Sequence, residues 1–348
     1  MKSLPIAVAG ALVAAVAATS PVLAANASKA DTEMQAVLDA HASLKPKPIE
    51  TLSAAEARKQ PTPADAVTVV LKNKGMSTDP AVLVPGVKHV DRTIAGAAGE
   101  IPARIYTPDG AGPFPLIVYF HGGGWVVGDK QVYDGGARGL SKQANAVVVS
   151  VDYRLAPEHK FPAAWDDGLA AYKWTLANAA SLKGDPKKLA LAGESAGGNL
   201  AVATAIAVRD VGLQAPLHVV AVYPVTQTNL ETPSYKANAN AKPLSRPMIK
   251  WFVDNLVNSP ADLKDTRISL VDAKLQGLPP FTIINASIDP LHDDGGMLET
   301  ALKKAGVSVE RKLYDGVTHE FFGMAAVVKK AKDAQEYAGQ RLKASFAR

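Results

Sequence analysis

The stretch Lys188-Leu189-Ala190-Leu191-Ala192-Gly193-Glu194-Ser195-Ala196-Gly197-Gly198-Asn199-Leu200 decides the fold. Lys188 to Ala192 reads as a short buried strand, and Ala196 to Val208 as a helix. Between them, Gly193-Glu194-Ser195-Ala196-Gly197 fits the nucleophile-elbow pattern G-x-S-x-G. So sharp a turn from strand to helix forces Ser195 into a strained backbone and lifts its hydroxyl above the sheet. The residues two places on either side must approach closely, and Gly193 and Gly197 carry no Cβ to collide. The helix N-terminus adds positive partial charge at the same point. The pentapeptide alone is common; the strand before it and the helix after it give it meaning.

Working outward, the same grammar repeats. Leu116 to Phe120 and Ala146 to Val151 are continuous apolar runs, as strands covered on both faces require. Val219 to Tyr223, Phe281 to Ala286 and Ser308 to Tyr314 follow. Helical patterns lie between and after them, over 136–143, 163–180, 296–305 and 325–344. This alternation predicts an α/β fold with a mostly parallel sheet and helices on both faces. Before it, Val87 to Ile94 and Ile101 to Tyr106 alternate around a Gly-rich turn and predict an antiparallel hairpin. The interval of about 227–264 is too long for a plain crossover. Its second half puts Met248, Trp251, Phe252 and Leu256 on one helical face, as an inserted cap helix would. Residues 31–71 read as short helices broken by Pro46, Pro48, Pro61 and Pro63, either an arm or part of a lid. The predicted organisation is a leader over 1–24, a helical arm over 25–86 and a catalytic domain over 87–348.

Three further groups complete a reaction centre around Ser195. His121-Gly122-Gly123-Gly124-Trp125 follows a strand, and its glycines let backbone N–H groups approach a ligand atom. These donors, with the Ala196 N–H, suit the oxyanion formed when an ester carbonyl is attacked. The loop lacks the Lys-Ser/Thr ending of a phosphate-binding P-loop. A base that takes and returns a proton near neutrality is a histidine. Of seven histidines, His319 lies past the last predicted strand, after the loop 315–318, and fits the chain order Ser, acid, His. The acid is expected at Asp289, three residues beyond the strand 281–286. Asp293 and Asp294 open a helix and are expected to cap or brace it.

These motifs resemble the bacterial hormone-sensitive-lipase-like esterases and lipases. The resemblance rests on His121 to Trp125, Asp152-Tyr153-Arg154-Leu155-Ala156-Pro157-Glu158, Gly193 to Asn199, Tyr223-Pro224, Asp289-Pro290-Leu291 with Asp293-Asp294-Gly295, and His319. They occur in the family's order over about 200 residues. The resemblance implies the α/β-hydrolase fold with an eight-stranded sheet, a cap built from the N-terminal helices and the 227–264 insert, and acyl-enzyme chemistry without metal or cofactor. It also implies that Gly123 and Gly124 supply the oxyanion donors beside Ala196. Two positions depart from the pattern: Glu194 stands where Asp is commoner, and Glu320 follows His319 where Gly is usual. Glu320 is expected to be a solvated loop carboxylate, the alternative being a carboxylate that shifts the base or meets a polar substrate.

Composition bounds the remainder. The chain has 348 residues, 47% hydrophobic and 20% charged, with a net charge of +5 and no dense basic block, so a nucleic-acid partner is not expected. The absence of cysteine excludes disulfides, thiolate metal sites and a cysteine nucleophile. Lys2, the apolar run from Ile6 to Ala18 and the small residues near Ala24 and Ala27 read as a secretory signal, which predicts a secreted or periplasmic protein with no membrane span after its removal. The expected partner is a small-molecule ester of short to medium acyl chain, contacted by Trp125, Trp251 and Phe252; monomer and homodimer are both compatible with the sequence. An amidase, formamidase or peptidase on the same fold is the alternative chemistry. A non-catalytic ligand-binding relative would have a broken triad, whereas Ser195, Asp289 and His319 are all present.

Overall fold

A computed structural model describes residues 1 and 29–348. The proposed signal segment therefore falls, apart from Met1, outside the described residues. The chain opens with helices α1 (Thr32–Ser43), α2 (Ala54–Ala57), α3 (Pro63–Asn73) and α4 (Pro80–Leu83). The prolines punctuate them as expected, and Ser53 and Thr62 close capping boxes on Glu56 and Asp65. The hairpin follows as β1 (Val87–Gly96) and β2 (Gly99–Pro108). Then come β3 (Phe114–Phe120), α5 (Asp134–Ala144), β4 (Val147–Val151), α6 (Ala163–Ala177), β5 (Gly184–Glu194), α7 (Ala196–Asp210) and β6 (Val219–Val222). The insert contributes α8 (Pro233–Ala237) and α9 (Arg246–Leu256). The chain ends with β7 (Phe281–Ile288), α10 (His292–Lys304), β8 (Val309–Thr318) and α11 (Lys329–Phe346).

Among the described residues, eight strands form one sheet in the order β1-β2-β4-β3-β5-β6-β7-β8. β1 and β2 are antiparallel, β2 pairs antiparallel with β4, and the other pairs are parallel. Successive residues of a strand face opposite sides, so each central strand feeds two cores. Leu116, Val118 and Phe120 join the core under α6, α7 and α10, whereas Ile117 and Tyr119 join the one under α5 and α11. Met34, Val37, Val70 and Leu71 are buried in the second core, so the N-terminal arm is docked. Arg58 reinforces this by donating to the carbonyls of Val126 and Ala156 and pairing with Glu158.

Strand order places the site. After β3 the chain moves outward to β4, and after β5 it moves the other way to β6. The loops leaving the carboxyl ends of β3 and β5 diverge, and such a reversal opens a crevice where ligands bind. The glycine loop and the Ser195 turn are those two loops.

Several element boundaries differ from expectation, three of them near the site. Helix α10 begins at His292, ahead of the helical pattern over 296–305, taking in Asp293, Asp294 and Gly295. Gly295 is there because a Cβ would run into Asn285 of β7, so the glycine permits close helix–strand packing. Strand β8 runs to Thr318, through the stretch expected to be a loop. Tyr314 pairs with Ala286 and Thr318 with Ile288, so residues 315–317 are taken up as a bulge, with Gly316 at φ +68°. At the C-terminus, a 3₁₀ turn over Phe321–Met324 delays α11 to Lys329.

Candidate active site

Ser195 sits between β5 and α7 with φ 57° and ψ −117°, a conformation that a side chain adopts only under constraint. The constraint is close packing. A Cβ on Gly193 would meet the Gly197 carbonyl, and one on Gly197 would meet the carbonyls of Phe120 and His121. The elbow is thus pressed against the end of β3. The Ser195 side chain is held at one end of a hydrogen-bonded chain. Its Oγ lies 2.9 Å from His319 Nε2, and His319 Nδ1 lies 2.7 Å from Asp289 Oδ2. An ionised carboxylate only accepts, so Nδ1 carries the proton and Nε2 is left to accept from the serine. The other Asp289 oxygen accepts from the Leu291 N–H, at 2.8 Å. All three residues are buried, Ser195 being 6% exposed. Burial opposes charge on His319, but the Asp289 carboxylate together with the charges of Glu320 and Glu194 outweighs it, and the imidazole pKa stands above its ordinary 6.5.

Opposite the serine lies the glycine loop. Gly123 and Gly124 have φ of +93° and +59°, and a Cβ on either would strike the Val127 carbonyl or the Phe252 ring. The N–H groups of Gly123, Gly124 and Ala196 donate to no acceptor among the described residues. His121 braces the loop as expected. It is buried, stacks on Tyr153 at 4.3 Å between centroids, and has its pKa lowered by that burial. The motif Asp152-Tyr153-Arg154 resolves into three anchors. Asp152 accepts from the Lys130 N–H and ammonium, the Tyr153 hydroxyl donates to the His121 carbonyl, and Arg154 pairs with buried Asp167.

Two cavities reach Ser195. A large one of about 1550 Å³ runs under the N-terminal arm and is lined by Gly123, Gly124, His319, Glu320, Met248 and Phe252, among others. A small one of about 100 Å³ is lined mainly by apolar groups, including Trp125, Val225, Ile249, Phe252 and Leu291. Phe252 borders both and Trp125 the smaller. Trp251 does not take the place expected of it. It lines neither cavity, and its indole N–H donates to the Leu52 carbonyl at 3.1 Å, tying α9 to the arm. Asp293 and Asp294 brace the insert, accepting from the N–H groups of Ser234 and Thr226.

The elements below the serine hold what the sequence did not reveal. Glu194 is buried and accepts hydrogen bonds from the hydroxyls of Tyr119 and Tyr223. Burial and the negative charge of Glu320 push its pKa up to about 8, against the pull of the two phenols. The Tyr223 ring packs on His319, 4.4 Å between centroids. Glu320 is not the solvated carboxylate expected. Its side chain is 18% exposed, accepts from the Tyr133 hydroxyl at 2.8 Å, and lies 3.9 Å from His319 Nε2. Burial raises its pKa, partly offset by His319 and Tyr133.

Comparison with known proteins agrees with this geometry. Residues 117–323 match a family model described as the α/β-hydrolase fold. The carboxylesterase NlhH of Mycobacterium tuberculosis is 40% identical over 279 residues, spanning 78% of this chain and 88% of that protein. The ethyl acetate hydrolase of Pseudomonas putida is 33% identical over 294 residues, 82% of this chain and 88% of that one. Among solved structures, an esterase of Pyrobaculum calidifontis superposes with a TM-score of 0.79 at 34% identity, covering 87% of this chain and 97% of its own. A thermostable esterase of Pseudomonas putida gives 0.81 at 32% identity, covering 91% and 98%. The chain belongs to the α/β-hydrolase fold family. Within it, it stands among the hormone-sensitive-lipase-like esterases and is a hydrolytic enzyme.

Proposed function

We propose that the protein hydrolyses carboxylic esters of short acyl chains through an acyl-enzyme on Ser195. The observation that carries this reading is the Ser195–His319–Asp289 chain of 2.9 and 2.7 Å, on a cavity that Gly123 and Gly124 also line. Ser195 Oγ attacks the carbonyl carbon while His319 Nε2 takes its proton. The oxyanion is received by the N–H groups of Gly123, Gly124 and Ala196, each donor contributing on the order of 3 kcal/mol in the transition state. His319 passes the proton to the departing alkoxide. Water, deprotonated by the same nitrogen, then releases the acid. Asp289 keeps the imidazole in the required tautomer and stabilises its charged form.

Cavity size bears on the acyl chain. An apolar cavity of about 150 Å³ holds a benzene molecule. The small cavity beside Ser195, at about 100 Å³, suits an acyl chain of a few carbons, leaving the large one to the alcohol. One relative's description as an ethyl acetate hydrolase is in keeping with this. The test is a rate series of p-nitrophenyl esters from acetate to laurate, with a matched anilide. The highest kcat/KM is expected at acetate to butyrate, with the anilide at least about 10²-fold slower. A maximum at laurate, or parity of anilide and ester, would refute the assignment.

The reading extends to the compartment. Lys2, the apolar run from Ile6 to Ala18 and the small residues after it support export with removal of about the first 24 residues. Intact-mass measurement of protein recovered from the cell envelope or medium should find that segment missing. Full-length protein confined to the cytosolic fraction would exclude export.

A further inference from the structure

Glu320 has no part in the mechanism above, yet it stands at the reacting atoms. Its backbone has φ +71°, a region that L side chains enter at a cost and glycine enters freely. A side chain is nonetheless carried there, immediately after the base. It lines the large cavity, with Oε1 accepting from the Tyr133 hydroxyl and lying 3.9 Å from His319 Nε2. Its second oxygen, Oε2, accepts no hydrogen bond from the described residues.

The position relative to the reaction follows from proton transfer. His319 Nε2 must deliver its proton to the departing alcohol oxygen, so that oxygen sits beside Nε2. A carboxyl oxygen 3.9 Å from Nε2 is then within reach of a group carried two or three atoms beyond the ester oxygen. Glu320 lies on the alcohol side, since it borders the large cavity and is not among the residues of the small one. We propose that Glu320 is a substrate-binding residue that selects esters whose alcohol part carries a hydroxyl group near the ester oxygen, as in glycol, polyol and sugar esters. A hydroxyl both donates and accepts, so it suits this carboxyl in either protonation state, which matters where burial raises the carboxyl pKa. The inference rests on the ester-hydrolase reading of Ser195.

The test compares 2-hydroxyethyl butyrate with propyl butyrate, esters of nearly equal size that differ by the hydroxyl. A hydrogen bond to a charged group corresponds to a factor of about 10 to 100. The wild type is expected to favour the hydroxylated ester by at least about 10-fold in kcat/KM, mainly through KM. In Glu320→Gly, which relieves the φ strain, the ratio falls towards one. In Glu320→Gln, which keeps an acceptor oxygen, it stays between. Equal loss on both esters, or a wild type with no preference, overturns the proposal and leaves Glu320 as a brace for Tyr133 and His319. The two readings fail differently. Ser195-dependent turnover of p-nitrophenyl butyrate without hydroxyl preference removes the Glu320 proposal alone, whereas absence of turnover on all three esters removes both.

Discussion

Ser195→Ala is expected to lower kcat on p-nitrophenyl butyrate by about 10⁴- to 10⁶-fold, the range over which loss of a serine nucleophile abolishes the acyl-enzyme route. The reason lies in how little else the hydroxyl does. Its Oγ contacts His319 Nε2 at 2.9 Å, and the backbone strain at φ 57° belongs to the packing of the elbow and stays with alanine. Thermal stability should therefore change by no more than about 1 kcal/mol, the usual net value of one hydrogen bond. The residual rate reflects the oxyanion donors and binding alone. The measurement is kcat with a melting curve on the same purified sample. A variant that melts like the wild type and keeps more than about a hundredth of the activity would mean that another residue performs the attack.

What the sequence could reveal about this site followed from locality. The elbow was legible because Gly193, Ser195 and Gly197 lie within five residues and each answers a local steric demand. Asp289 was legible because it lies just beyond a buried, mostly apolar strand, and His319 because the chain order puts the base after the last strand. The central strands were legible for a similar reason: Val147–Val151 is buried at every position and reads apolar at all but Ser150. Features set by distant partners were not legible. Nothing near Tyr133 signals that its hydroxyl meets Glu320, 187 residues away. Trp251 lies in an apolar pattern and was expected at the substrate, yet its indole N–H turns to Leu52, 199 residues distant. The turn signal Asp315-Gly316 misled for a related reason, since pairing with β7 absorbs it as a bulge and carries His319 to Asp289. Glu194 and Glu320 both depart from the family pattern, and neither sequence neighbourhood shows that Tyr119 and Tyr223 donate to the one and Tyr133 to the other.

Gly197→Val is expected to be the most damaging substitution for the fold of the site. A Cβ at Gly197 would meet the carbonyls of Phe120 and His121, which are backbone atoms and cannot swing aside as a side chain would. Phe120 ends β3, which is paired on one side with β4 and on the other with β5, so the strand has no room to retreat. Helix α7 must then move outward, and it carries both the Ala196 N–H and the Ser195 backbone with it. Overpacking against fixed backbone belongs to the mechanisms that give the largest single-residue effects, about 4 kcal/mol or more. For a chain of this size that corresponds to a fall in Tm of roughly 6 °C, or to loss of soluble protein. Whatever folds should lose at least about 10²-fold in kcat/KM, since one displaced oxyanion donor alone has that effect. Gly212→Ala is the matched control. It lies past the far end of the same helix with φ +69°, where a Cβ meets nothing within 4 Å, so only conformational strain of about 1 to 2 kcal/mol applies and activity is retained. If Gly197→Val melted and turned over like Gly212→Ala, the elbow would not be pressed against β3, and the shared placement of Ser195, Ala196 and the glycine loop would need another cause.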